Sequence, residues 1–418
     1  MGHSGNDYIR RRLIYASITR RGLFPPVRRE NSPSLHNKGS RKTTHMTVNG
    51  RLAITREVYW NKQSGSVVPV DKWLGIDSER YSPGVREMCC LLAANSDFRK
   101  LSEDLKRAAQ IEMAPETGRQ IVEREGLIAV GAVQEKGFGP DWTSQDCREV
   151  PTGPSTVITG ADGVMVPLVT EGEKAKRRAL RRKAGAKPRG RRKSIGKGSS
   201  QAYKEFKILA FYDPQKKHKH VVGTSGDHNA LGRLMRREGA KVKLDKADEK
   251  YSVSDGAVWI LKQYQSRLPM LDGNVLDYYH LKQHVTATSC VVYGEGSDQA
   301  EKWREEMMGV VMEEGPVRLI ERLGELRRSV RSSGKRKSIA GLQKYVTERA
   351  GMLDYPEFRS KGWDIGSGPT EGCCKNLTAR LKGSGMKWDE ENAEGMMALA
   401  AIDDSGLWKP YWQARRAA

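Results

Sequence analysis

Three carboxylates far apart in the chain carry the chemistry that this sequence could do: Asp162 in TVITGADGVMVPLVT, Asp255 in YSVSDGAVWI and Glu371 in GSGPTEGCCKNLTARLK. Both aspartates come at or near the end of an apolar, β-branched run and precede a glycine, which lets the backbone bend away and leaves the carboxylate accessible. Asp–Gly is also a common turn dipeptide, and Asp272–Gly273 is such a turn, ahead of its strand rather than behind it. Glu371 follows Gly366, Gly368 and Pro369, a loop leading into a helix with proline tolerated in the first turn. That helix is expected from about Pro369 to Lys382, with Glu371, Cys374, Lys375 and Thr378 on one face. Taken alone, Glu371 and Lys375 would be an ordinary i,i+4 pair worth roughly a few tenths of a kcal/mol. Three converging carboxylates would instead repel one another and raise at least one pKa until cations arrive. Oxygen ligands without clustered cysteine or histidine suit Mg²⁺ or Mn²⁺. Two such ions can activate a water or a sugar hydroxyl and stabilise the leaving oxygen in an in-line displacement at phosphorus.

The elements that would position these residues follow from the hydrophobic pattern. TVITGADGVMVPLVT, FKILAFYDPQ and HKHVVGT read as an antiparallel meander, followed by helix HNALGRLMRREG, strand YSVSDG, helix AVWILKQYQSRL and strand GNVLDYYH. After His280 about 80 residues are helical, with Trp303, Met307 and Val310 on one face and Leu319, Leu323, Leu326 and Val330 on the next. The order strand–strand–strand–helix–strand–helix–strand–insertion–helix predicts an α/β fold with a ribonuclease H-like mixed sheet and a helical insertion. In that order the first and fourth strands are central neighbours and the late helix crosses nearby, so Asp162, Asp255 and Glu371 converge. The core comprises residues 156–280 and 361–402, interrupted by the insertion 281–360. Residues 403–418 form a tail whose Trp408, Tyr411 and Trp412 are packing anchors.

Upstream, residues 1–45 are basic and polar and read as a disordered arm. Residues 46–81 form a β-hairpin module in which MTVNGRLAITREVYW and SGSVVPVDKWLG flank a turn at Asn61–Gly65. Ser82 and Pro83 open a helical region, 82–140, of three short helices. The second and third resemble a helix-turn-helix whose recognition helix starts at Pro115, although a plain helical bundle accounts for the pattern nearly as well.

Lysine and arginine total 73 against 51 acidic residues, a net charge of +22, and residues 174–197 hold 13 basic residues and no acidic one. This stretch, with Arg181, Arg182, Arg191 and Arg192, is expected as a long loop within the meander that faces a polyanion. Lys375, Arg380, Lys382 and Lys387 are further candidates for phosphate contacts, against the alternative of a solvated basic face. The six cysteines form no CxxC pair, so neither a zinc ribbon nor a disulfide framework is signalled. No apolar run approaches the roughly 18 residues of a membrane span, and no apolar signal segment opens the chain. A cytoplasmic location is expected.

The segments ADGVMVPL, VSDGAVWI, LDYYH and DIGSGPTEGCCKNLTARLKGSGMKW resemble the signature blocks of bacterial insertion-sequence transposases of the ISKra group, related to Mutator-type DDE enzymes. The likeness runs from about residue 50 to the C-terminus. It implies that Asp162, Asp255 and Glu371 are a DDE triad holding two Mg²⁺ or Mn²⁺ ions, and that the helices between His280 and Glu371 are the family's insertion. It also puts an Asp-x-x-His element, Asp277 and His280, near the active site; His280 reads equally as a hydrogen-bonded core residue. Relatives often carry a cysteine-bearing hairpin near the N-terminus, whereas REVYWNKQSGSVVP has no cysteine, so no zinc is expected. The function implied is DNA transposition: cleavage at the terminal inverted repeats of an element and strand transfer into target DNA, by a homodimer or higher oligomer on double-stranded DNA near the nucleoid. Two rivals remain: a ribonuclease H-like nuclease without strand transfer, and a domesticated DNA-binding protein that keeps the fold without catalysis.

Overall fold

The computed structural model describes residues 36–69, 71, 80–135, 137–185, 202–383, 386 and 388–417. The chain divides into two units, Met1–Ala129 with Leu407–Ala418, and Val130–Gly406.

In the first unit, strands β1 (His36–Thr47), β2 (Gly50–Asn61) and β3 (Gly65–Val67) form an antiparallel sheet in that order. The Asn61 side chain accepts the Gln63 and Ser64 amides at 3.0 and 2.5 Å, closing the turn expected at Asn61–Gly65. Strand β1 corrects the expected arm, because it begins at His36 rather than beyond residue 45. Its first seven residues are all exposed, so ladder hydrogen bonds and not burial hold them, and no apolar pattern announces the strand. Residues 1–35 of that arm lie outside the described residues.

Helix α1 (Pro83–Asn95) starts at Ser82, whose hydroxyl accepts the Val85 amide, and is followed by α2 (Phe98–Ala109) and α3 (Pro115–Gln134). The third helix is 20 residues long, not short, and carries the chain out of this unit. Cys89, Cys90 and Ala93 of α1, Leu101 and Leu105 of α2, and Ile121 and Val122 of α3 make its core. A last helix, Trp408–Ala417, belongs to the same unit: Tyr411 and Trp412 are buried, and Arg415 joins Arg86 on the fully buried Glu125 at 3.1 and 2.7 Å. The expected tail is thus a structural helix.

The second unit is built on a mixed five-stranded sheet in the order β6-β5-β4-β7-β8, with β4 (Thr156–Leu168), β5 (Ala202–Tyr212), β6 (Lys219–Thr224), β7 (Glu249–Ser254) and β8 (Gly273–Leu276). The first three are antiparallel, whereas β7 and β8 add in parallel to β4 and to each other. Because side chains alternate along a strand, Val157 and Ala161 face one side, in a core with Leu209, Phe211, Leu231, Met235, Ile260 and Tyr264. The last four lie on α4 (His228–Lys241) and α5 (Val258–Arg267). A further helix, Glu171–Gly185, occupies the start of the basic stretch expected as a loop. Its lysine, arginine and alanine residues are good helix formers without an apolar period. Arg181 and Arg182 lie on this helix, while Arg191, Arg192 and Lys387 fall outside the described residues.

The helical insertion begins earlier than expected. LDYYH does not continue β8: Asp277 caps helix α6 (Tyr278–Tyr293), so Tyr278 and His280 are already helical. Helices α7 (Asp298–Glu313), α8 (Gly315–Ser329) and α9 (Ser333–Glu348) complete a bundle around Val292, Trp303, Met307, Val311, Leu319, Leu323, Leu342 and Val346. The chain then returns through α10 (Tyr355–Ser360) to α11 (Gly368–Lys382) and α12 (Glu390–Asp404), which cover the other face of the sheet. That covering needs glycine: a Cβ on Gly160 of β4 would fall inside the Thr370 hydroxyl of α11, and one on Gly223 of β6 would stand 2.7 Å from Met397 Sδ of α12.

Candidate active site

Strand pairing brings the two aspartates together. The parallel register Gly160↔Val253 ends two residues before each of them, so Asp162 and Asp255 leave the β4–β7 pair at the same level. Asp162 is not at a strand end, because β4 continues to Leu168 against β5 and pairs Asp162 with Ile208. Only its parallel neighbour stops, and that opens the space in front of it. Being two residues from Gly160, Asp162 points to the α11 side. Helix α11 starts at Gly368 and presents Glu371 in its first turn, where the backbone amides favour a negative charge.

What fixes that helix is Asp277. Its carboxylate, 2% exposed, accepts the His280 amide at 2.7 Å as the cap of α6 and the Ser367 amide at 2.5 Å ahead of α11. Beside it the Tyr278 amide donates to the Ile365 carbonyl at 2.9 Å, and the Asp277 amide to Ser254 at 2.8 Å. The junction of β8 and α6 is therefore tied both to β7 and to the loop before Glu371.

These ties enclose a cavity of about 230 Å³ lined by Ala161, Asp162, Ser254, Asp255, Asp277, His280, Ser367, Thr370 and Glu371. All five residues expected at the site are on its wall, four of them carboxylates: Asp162, Asp255, Asp277 and Glu371. Burial pushes the Asp162 carboxyl above the usual carboxylate range; the Gly163 amide and the Cys374 thiol pull it back, and the charges of Asp255 and Glu371 push it further up. Cys374 Sγ lies 3.6 Å from Asp162 Oδ2, and burial beside that carboxylate raises its pKa, keeping it a thiol. Asp255 Oδ1 accepts the Ala257 amide at 2.8 Å, and Ser367 Oγ donates to Glu371 Oε1 at 3.4 Å.

The donor set fits a hard divalent cation, because the wall offers carboxylate and hydroxyl oxygens and the Ser254 hydroxyl is buried there without a hydrogen-bond partner. Among the described residues, no three acidic, histidine or cysteine side chains stand close enough to one another to share an ion, so the fit is one of donor chemistry and convergence.

No motif marks Ser254, Ser367 or Thr370, although each lies within four residues of an expected carboxylate. The expected face of α11 splits. Cys374 and Thr378 are buried, while Glu371 and Lys375 are exposed. Lys382 is exposed, but Arg380, expected to touch phosphate, is 8% exposed and lies with its guanidinium carbon 5.3 Å over the Trp388 ring. The tryptophan that follows the helix covers it, so Arg380 is corrected from a surface contact to a packed residue.

A family model described as an uncharacterised protein family, UPF0236, matches residues 28–204, a span that includes Asp162 and ends before Asp255. No curated protein matches the chain. Among solved structures the chain is similar to the Drosophila P element transposase strand transfer complex, with 10% identity, a TM-score of 0.38, and coverage of 80% of this chain and 94% of that one. Among the described residues no helix is long and apolar enough to cross a membrane.

Proposed function

We propose that this chain is a DNA transposase of the DDE type, of the ISKra group of insertion sequences, with a ribonuclease H-like catalytic core in its second unit. The observation that carries the reading is the convergence of Asp162, Asp255 and Glu371, from a strand, a strand end and a helix start, on one cavity wall. These three residues would hold two Mg²⁺ or Mn²⁺ ions, which when bound activate a water or a 3′-hydroxyl and stabilise the leaving oxygen at phosphorus. Asp277 orients the entry to α11 and so the approach of Glu371. His280, half-buried on the cavity wall, offers a ring nitrogen to a phosphate or sugar oxygen. Lys375 and Lys382 supply exposed positive charge on the helix that carries Glu371, and the basic stretch 174–197 adds attraction for the phosphate backbone. In this reading the helical region 82–140 reads element ends in double-stranded DNA, and the protein acts as a dimer or larger assembly near the nucleoid, since two ends must be held together.

The test is incubation of the purified chain with labelled duplexes that carry the element's terminal inverted repeats, with Mg²⁺ or Mn²⁺. Nicked ends and joined products are expected, and Asp162→Ala, Asp255→Ala and Glu371→Ala should each abolish both. Cleavage that survives in all three variants rejects the site. Cleavage without joined products identifies a nuclease that does not transfer strands, and binding without cleavage identifies a DNA-binding protein that keeps only the fold.

A further inference from the structure

The helical insertion reaches the carboxylate site through a side chain 93 residues downstream of it in sequence. Arg349, which follows the last residue of α9, donates its Nε–H to the Gly256 carbonyl at 2.9 Å. Gly256 directly follows Asp255 and has φ +73°, a conformation that disfavours any side chain; a Cβ there would also collide with Leu276 and stand 3.1 Å from Arg349 Nε. Within the same turn Asp255 Oδ1 accepts the Ala257 amide. The turn that aims Asp255 is therefore fastened from inside by the aspartate and from outside by the arginine.

The guanidinium is itself held in place. Its carbon lies 4.1 Å over the Tyr345 ring and Nη1 donates to the Tyr345 carbonyl at 3.3 Å, while only 12% of the side chain is exposed. Tyr345 stacks on His284 with ring centres 4.0 Å apart, and His284 meets the edge of His280, a residue of the cavity wall, at 5.2 Å. Helices α6 and α9 thus touch the site at two points, one through His280 and one through Arg349. A lysine in place of Arg349 would keep the charge but lose both the Nε donor and the planar stack.

We propose that Arg349 is a positioning residue: by fixing the Gly256 carbonyl it sets the direction of the Asp255 carboxylate, so that correct packing of the insertion is a condition for an assembled metal site. This rests on the reading of Asp255 as a metal-holding residue. The test uses the full chain as wild type, Arg349→Ala and Arg349→Lys, with three readouts: hydrogen exchange of the Gly256 and Ala257 amides, Mn²⁺ titration, and cleavage kinetics. Arg349→Ala should speed exchange at Ala257 while amides within α6 to α9 keep wild-type protection, and should weaken Mn²⁺ binding about tenfold or more, as loss of a residue that orients a ligand does. Cleavage should lose kcat with KM for DNA unchanged, and Arg349→Lys should fall between. Should Arg349→Ala loosen the whole bundle, Arg349→Lys decides: faster exchange at Ala257 in a bundle of native protection supports the role, and wild-type exchange there overturns it. Wild type that binds no Mn²⁺ overturns the reading of the site and the proposal with it. Wild type that binds Mn²⁺ with both variants indistinguishable from it overturns the role of Arg349 alone.

Discussion

The Asp277 carboxylate accepts the Ser367 amide at 2.5 Å, and through this bond the end of strand β8 is fastened to the loop that delivers Glu371. Asp277→Ala leaves the Ser367 and His280 amides without their acceptor in a buried setting, a loss of roughly 1–3 kcal/mol. The expected outcome is reduced resistance of the second unit to urea, faster exchange of the Ser367 amide, and a drop in cleavage larger than the stability loss accounts for. Asp277→Asn retains an acceptor and should lie between. Unchanged exchange at Ser367 would count against the tie.

Gly160 and Thr370 set how closely α11 lies on β4. Gly160→Ala forces the helix outward, and overpacking of this kind costs about 1–3 kcal/mol. Thr370→Ala removes the hydroxyl and methyl that the new Cβ would strike, so the double variant should regain part of the lost stability. Thermal unfolding of the four proteins checks this, and strictly additive losses would show that the two positions do not meet.

Asp162 gives a pH dependence of defined sign. Its carboxyl is raised, chiefly by burial, so between the unfolded value of about 3.9 and the folded one the native state binds more protons than the unfolded state. Stability contributed by this group is therefore present at acid pH and lost as pH rises through the raised folded value. In EDTA, Asp162→Asn should be more stable than wild type at neutral pH, with the advantage gone below the unfolded value. Denaturant titrations across that window test it; an advantage of equal size at both ends would exclude the assignment.

Glu238 gives the opposite sign. Burial pushes its carboxyl up, but the His220 hydrogen bond and charge, with Lys241 and Arg237, outweigh burial and hold it below the usual range. Its stability contribution is present above the unfolded value of about 4.3 and is lost as pH falls through the folded value. Glu238 is fully buried with His220 at 2.8 Å and Lys241 at 3.1 Å, so Glu238→Ala leaves the Lys241 ammonium and the His220 ring without this partner and should cost about 3–5 kcal/mol at neutral pH. The gap from wild type should narrow in acid, and parallel stability profiles would refute the network.

Much of this architecture is legible in the residues themselves. The mixed sheet follows from strand runs with clear alternation or continuous apolarity, and the start of α11 follows from glycine and proline ahead of Glu371, whose helix begins at Gly368 against an expected Pro369. Four features are not legible, each for a physical reason. Strand β1 buries almost nothing, so no pattern betrays it. Arg380 is covered by Trp388, a residue beyond the end of the helix that periodicity along the helix cannot register. Arg349 meets Gly256 only because a whole bundle folds between them, and neither residue carries a local sign of the other. Asp277 lay in a strand-like segment because Leu276, Tyr278 and Tyr279 favour strands, yet its side chain caps a helix instead.

Trp412 and Arg415 complete the core around Glu125 from the far side of the second unit in chain order. During synthesis the ribosome must therefore deliver the entire second unit, on the order of tens of seconds of elongation, before Glu125 can meet its second arginine. Of the two arginines that meet Glu125, only Arg86 has been synthesised through that interval. The first unit is thus translated early but completed only after the second unit has been made.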